Sequence, residues 1–295
     1  MTTLSRRSFL AASAVAPLLL PAVAKSSEPA KPAAKFKLGL VTYNVAKDWD
    51  LATILKHCRA AGVAAVECRT THKHGVEPAL TADQRKDIKK QFADSGVVFW
   101  GCGSVCEFHS EDPAVVKKNV EECKKFVDLV KDLGGKGVKV RPNGVGKGMT
   151  VDQATAQIGK ALAECGKAAE SAGVEIWVEV HGPKESTAQP KVMKAIMDAC
   201  GHKAVGVTWN SNDGEVIHGS IDEGFDLLKG HIKSCHINDL GKDKKGIYPY
   251  GELFKRFREI GYDRYTLIEV GTAVKAEDGE KWLTNYMAQW KALVG

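Results

Sequence analysis

Four polar residues near the ends of short apolar runs, Glu179, Asn210, His236 and Glu269, follow one another at intervals of 31, 26 and 33 residues. Two carboxylates, an imidazole and an amide oxygen converging on one point would hold a divalent cation. Oxygen and nitrogen donors without thiolate suit Mn²⁺, Mg²⁺, Co²⁺ or Zn²⁺, and the donors alone do not choose among them. Taken singly, each residue has a plainer role. A strand histidine can be a satisfied core residue, and Glu269 can be half of a salt bridge. The metal reading needs elements that bring all four together.

The stretch Val174–His181 shows how. Ile176, Val178 and Val180 alternate with Trp177, Glu179 and His181, the period of a strand, and Gly182-Pro183 stops it. With the aliphatic side covered by a helix, Glu179 and His181 stand side by side at the strand's C-terminal tip. Charged groups there need a partner, because leaving them unpaired is costly. The same test sets Thr208 and Asn210 against Val207 and Trp209, His236 and Asn238 against Cys235 and Ile237, and Glu269 against Ile268 and Val270.

From Phe36 onward such runs alternate with amphipathic helices in units of roughly 25–35 residues. Asp48 is expected to cap a helix running to Ala61, Thr81 one running to Ser95, and Asp112-Pro113 one running to Leu133. Thr150 would open a helix that ends at Gly173. Eight strand–helix pairs in strict alternation predict a parallel sheet closed into a single-domain (β/α)₈ TIM barrel over residues 36–295. In such a barrel reactive groups gather at the C-terminal rim. Glu67 and Arg69 on the second strand, and Lys139 and Arg141 on the fourth, would bring further charges there. They would hold a polyhydroxy or anionic substrate, or else Glu67 would simply pair with Lys139 or Arg141. Trp177 would be a stacking platform for a sugar or a plug in the barrel. His72, His74 and Glu77 lie on a loop above the rim, within reach of substrate or merely solvated.

The chain opens with Arg6-Arg7, an apolar run to Leu20 and the small-x-small Ala22-Val23-Ala24. Residues 1–24 therefore read as a twin-arginine signal peptide and residues 25–35 as a Pro/Ala/Lys linker. The run is shorter than the ~20 residues of a membrane span and contains prolines, so no stable membrane anchoring is expected after cleavage, and the protein would be periplasmic. Losing Arg6 and Arg7 lowers the formal charge from +6 to +4, spread over helical faces, which gives no nucleic-acid footprint. The eight cysteines fall mostly in apolar patterns and are expected to be buried free thiols, Cys102 and Cys106 included. A homo-oligomer is compatible with everything above.

The segments Val178-Glu179-Val180-His181-Gly182, Trp209-Asn210-Ser211-Asn212, Cys235-His236-Ile237-Asn238-Asp239 and Leu267-Ile268-Glu269 resemble those of the xylose isomerase-like TIM-barrel superfamily, the sugar phosphate isomerase/epimerase group. The segments around His72–Glu77 and Lys139–Gly144 are similar to those of exported members. The resemblance implies Glu179, Asn210, His236 and Glu269 as metal ligands and Glu179 and Glu269 as the acid/base pair, with His181 assisting. Glu67, Arg69, His72, Lys139, Arg141 and Trp177 would meet the substrate. It also implies proton transfer next to the carbonyl of a free sugar or keto-sugar through an enediolate. Keto-sugar or inosose lyase chemistry on the same metal, or a non-catalytic carbohydrate-binding barrel, are the alternatives. Two departures stand out: Asn210 replaces the usual Asp, and Asp213 replaces the His of Asp-x-x-His. The second argues against the apurinic endonuclease branch.

Overall fold

The computed structural model describes residues 33–182, 186–212 and 215–295. The proposed signal segment, all but the end of the linker, Pro183 and Asp213 lie outside the described residues. Eight parallel strands close on themselves in sequence order. They are β1 (Lys37–Val41), β2 (Ala65–Arg69), β3 (Val98–Gly103), β4 (Gly137–Val140), β5 (Glu175–Glu179), β6 (Val205–Asn210), β7 (Ile232–Ile237) and β8 (Tyr265–Ile268). The main crossover helices are α1 (Leu51–Ala61), α2 (Ala82–Ser95), α3 (Pro113–Leu133), α4 (Val151–Ala172), α5 (Pro190–Cys200), α6 (Asp222–Leu228), α8 (Tyr250–Glu259) and α9 (Gly279–Val294). The alternation rule thus gives the observed TIM barrel. No helix among the described residues is long and apolar enough to cross a membrane.

Helix starts follow their capping residues. Thr81 and Thr150 each form a reciprocal capping box, with Gln84 and Gln153. Asp112 accepts from the Ala114 amide at 2.8 Å ahead of Pro113. The cap of α1 is Asp50, not Asp48: Asp50 Oδ1 accepts from the Thr53 amide at 2.9 Å, while Asp48 lies in the preceding turn. A short helix, α7 (Gly241–Lys244), carries no periodic pattern and is not foreseen by sequence.

Two apolar layers hold the barrel. The larger lies between strands and helices and takes in the outward-facing Ile176, Val178, Val207 and Cys235. The smaller fills the barrel itself with Val41, Ala65, Trp100, Trp177 and Leu267. Trp177 is fully buried and stacked on Trp100 with ring centroids 5.0 Å apart. It therefore plugs the barrel and has no ring face free for a sugar. Gly137 and Gly101 make room for it; a Cβ on Gly137 would lie 2.2 Å from the Trp177 ring. The Trp177 indole donates to Glu175, which Arg264 also grips at 2.6 Å. Burial works against ionisation of Glu175, but the bonds from Arg264 and Trp177 prevail and bring its pKa down to about 2. All eight cysteines are buried free thiols.

Candidate metal centre at the barrel rim

Glu179, Asn210, His236 and Glu269 do meet. Each stands at or just beyond the C-terminal end of β5, β6, β7 and β8, on the inward face. Trp209 faces outward and donates to the Tyr248 hydroxyl at 2.8 Å, which fixes Asn210 inward. Asn210 Nδ2 donates to Glu179 Oε1 at 2.8 Å. The tips of β6 and β7 are tied by Tyr250 and Ser211, whose hydroxyls both accept from the Asn238 amide at 2.9 Å.

His236 is the pivot. Its Nδ1 lies 3.3 Å from Glu269 Oε2 and 3.6 Å from Glu179 Oε1, yet is buried with no aligned hydrogen bond. A ligand atom from each of Glu179, His236 and Glu269 falls within 4.8 Å of the others. An orphaned ring nitrogen aimed between two carboxylates is what a bound divalent cation would satisfy, so these donors fit one. On the far side, His236 Nε2 lies 3.3 Å from Glu67 Oε2, and both residues are fully buried. Glu67 thus stands behind the imidazole and orients it. It neither meets the pocket nor pairs with Lys139 or Arg141, as the sequence had suggested.

Lys139 takes a different partner. Its ammonium lies 2.7 Å from Glu179 Oε2, with each side chain only 3% exposed. Burial alone would keep Glu179 protonated, but Lys139 and then His236 outweigh it and hold the carboxyl well below its usual range. For His236 the balance also opposes burial. Glu269 and Glu67 draw the ring toward its protonated form, so a proton and a metal ion compete for one negative site.

Lys139, Glu179, Asn210 and Glu269 line a cavity of about 290 Å³, shared with Arg69, Arg141 and His181, while His236 is fully buried and not part of its lining. That is the small end of the ~300–1,000 Å³ of ligand pockets. Grooves of about 540 and 550 Å³ lie between α1 and α2 and around His202 and Lys233, and neither is lined by any of the strand-tip residues Glu179, Asn210, His236 and Glu269. Arg141 Nε donates to Glu107 Oε1 at 2.9 Å, and Asn143 Nδ2 donates to the same oxygen at 2.9 Å.

The loop after β2 serves structure more than substrate. His74 packs between the Arg69 carbonyl and the Val76 amide, each 3.0 Å away. Glu77 accepts from Thr70 Oγ1 at 2.7 Å and from the amide of Thr71, whose φ of 65° is strained for a β-branched residue. His72 is half-buried with its Nδ1 3.2 Å from Thr42 Oγ1, and it does not line the cavity. Tyr43, Asn212 and Asn238 line the pocket without having been singled out by sequence. Of these, Asn238 was legible, one alternation step past His236. Glu107 was not, since the loop after β3 has no period to read.

The sequence matches the xylose isomerase-like TIM barrel family over residues 55–286. No curated protein matches it by sequence. Among solved structures it is similar to D-psicose 3-epimerase with D-tagatose from Clostridium cellulolyticum H10, with a TM-score of 0.70 and 15% identity over 88% of this chain and 99% of that one. It is also similar to 3-keto-D-glucoside 4-epimerase (YcjR) from E. coli, with a TM-score of 0.69 and 13% identity over 88% and 99%. A third likeness is the IOLI protein with a bound zinc atom, with a TM-score of 0.68 and 18% identity over 88% and 96%.

Proposed function

The chain belongs to the xylose isomerase-like TIM-barrel family, and from that premise we propose that it is a divalent-metal-dependent sugar isomerase or epimerase. The observation that carries the proposal is the convergence of Glu179, His236 and Glu269, whose ligand atoms lie within 4.8 Å of one another around a buried Nδ1 that has no aligned hydrogen bond. Glu179, His236 and Glu269 would hold the metal, with Asn210 as a fourth ligand if its amide turns its oxygen inward. When bound, such an ion supplies Lewis-acid stabilisation of negative charge on sugar oxygens.

The rest is done by side chains of the chain itself. Among the described side chains only His236 forms an ion pair within 4 Å of the Glu269 carboxylate, so an oxygen of Glu269 can accept a proton from the carbon beside the carbonyl. Glu179, across His236 and ionised at rest, takes up a proton by way of a substrate hydroxyl and delivers it to carbon from the opposite side, while Glu269 can give back the proton it removed. Return at the neighbouring carbon isomerises, and return on the other face epimerises. Lys139 and Asn210 each occupy one oxygen of Glu179 and keep it ionised and fixed. His181, at the pocket wall, can pass a proton through a hydroxyl. The names of the similar structures, two of them sugar epimerases, support a sugar as the small-molecule substrate. Residues 1–24 complete the proposal as a twin-arginine signal that delivers the folded protein to the periplasm.

The test is exchange in deuterated water. Metal-reconstituted protein should place deuterium beside the carbonyl of one of a panel of ketoses and keto-sugars. Glu269→Gln and Glu179→Gln should each lower that rate by about a hundredfold or more. Full exchange by both variants would end the acid/base assignment.

A further inference from the structure

The pocket carries more positive charge than its two carboxylates require. Lys139 is used by Glu179. Arg141 spends only its Nε, on Glu107, and its two terminal nitrogens bond nothing among the described residues. Arg69 has no carboxylate partner at all among them; its one side-chain hydrogen bond goes from Nη1 to the Thr70 carbonyl. Yet Arg69 is partly buried, and burial and the neighbouring Arg141 work against its charge more than the field of Glu179 and Glu269 supports it. A partly buried guanidinium with most of its N–H donors unbonded costs free energy that an arriving anion would recover.

The backbone arranges this pair. In the ladder Arg69 is level with Gly103 of β3, which is level in turn with Lys139 of β4. A Cβ on Gly103 would lie 3.4 Å from Arg69 Cδ and 2.8 Å from Glu67 Oε1. The Arg69 stem thus lies across the space that a side chain at 103 would take, leaning over β3 toward β4 and Arg141. Both guanidiniums line the same cavity as Glu269 and His181.

We infer that Arg69 and Arg141 form a receptor for a terminal oxyanion, so that the substrate is an anionic monosaccharide, one end of it in this fork and its carbonyl end toward His236. The planar forks suit bidentate binding of a carboxylate or phosphate. The inference rests on the proton-transfer reading for the chemistry at the other end, but the anion site itself does not depend on turnover.

The experiment uses the metal-reconstituted full chain and three matched sets of probes. These are D-fructose and D-tagatose, their ketouronates (D-fructuronate and D-tagaturonate), and their 6-phosphates. Calorimetric binding and deuterium exchange are read side by side. One anionic set should exceed its neutral parents by about tenfold or more in affinity, the scale of a charge-assisted pair of hydrogen bonds. Arg69→Gln should remove most of that advantage, with the loss in KM rather than kcat. Arg141→Gln should repeat the effect if Arg69→Gln fails to fold. A ketouronate preference assigns a sugar acid, and a 6-phosphate preference assigns a sugar phosphate. Equal affinity for neutral and anionic sugars overturns the inference, as does an anion advantage untouched by both variants. Anion binding that depends on Arg69, with no exchange into any sugar, keeps the receptor and removes the proton-transfer reading instead.

Discussion

Lys139→Met is the change that probes the site's electrostatics most directly. Lys139 and Glu179 are 2.7 Å apart and each 3% exposed. At an effective dielectric constant of about 20, unit charges at that distance attract by roughly 6 kcal/mol, before the cost of stripping both of water. Removing one member of a buried pair costs about 3–5 kcal/mol, because the other is left charged and alone. Methionine keeps most of the lysine's stem, so packing contributes little to the change. Glu179 would then retain only the amide of Asn210 and the neighbouring His236 as support. A divalent ion held by Glu179, His236 and Glu269 would replace the missing positive charge. Urea unfolding in chelator should therefore show the full loss, and saturating Mn²⁺ should shrink it to under about 2 kcal/mol by binding only the folded state. Lys139→Met should also bind Mn²⁺ more tightly than the parent protein, since an ammonium no longer repels the ion. If the loss is the same with and without metal, Glu179 is not a ligand and the charge argument fails.

Three further outcomes follow from the same structure. Asn210→Asp adds a carboxylate beside Glu179 and should tighten Mn²⁺ binding by about tenfold or more, read by competition with a chromogenic chelator. The buried His74 is shifted to about 4, chiefly by burial, so the unfolded chain takes up its proton first as pH falls. Its contribution is present above pH ~6.5 and drains away toward pH 4, by up to ~3 kcal/mol; the urea midpoint of His74→Gln should be flatter across that window. Gly137→Ala drives a methyl to within 2.2 Å of the Trp177 ring and should cost about 1–3 kcal/mol or more in thermal unfolding while leaving Mn²⁺ affinity alone.

The site residues placed well by sequence share one property: they sit at strand ends, where side-chain alternation and end position together fix a location. Glu179, Asn210, His236 and Glu269 are of this kind; the capping threonines Thr81 and Thr150 are legible for a different reason, their residue type at a helix start. Alternation gives the side of the sheet but not the depth. Arg69, Gly103, Lys139 and Trp177 occupy one continuous ladder across β2, β3, β4 and β5. Yet Arg69 is partly exposed, Lys139 nearly buried and Trp177 wholly so. Strands in a closed barrel tilt against its axis, so hydrogen-bonded partners on successive strands lie at successively different heights. The shear that sets this descent is a property of closure and has no local signature. For that reason the sequence left Trp177 open between sugar platform and plug, and Glu67 between substrate contact and ion pair with Lys139 or Arg141, while the structure makes Trp177 the plug and puts Glu67 behind His236.

The same geometry bears on why an amide is tolerated at position 210. Glu179 Oε2 is already matched by the Lys139 ammonium, so the net charge offered to a cation by Glu179, Lys139 and Glu269 is only −1. A carboxylate at 210 would crowd a second anion against Glu179 Oε1, where the amide now donates a hydrogen bond. Asn210 and Lys139 therefore act together: both stabilise an ionised Glu179 without a metal ion, and both weaken the pull on one. The barrel can fold with Glu179 satisfied internally and take up the ion afterwards. It follows that Asn210→Asp and Lys139→Met should not be additive in Mn²⁺ affinity, because each changes the charge felt through the same carboxylate. The double variant should depart from the product of the two single effects, whereas a factorised product would mean that the two side chains act on the ion independently.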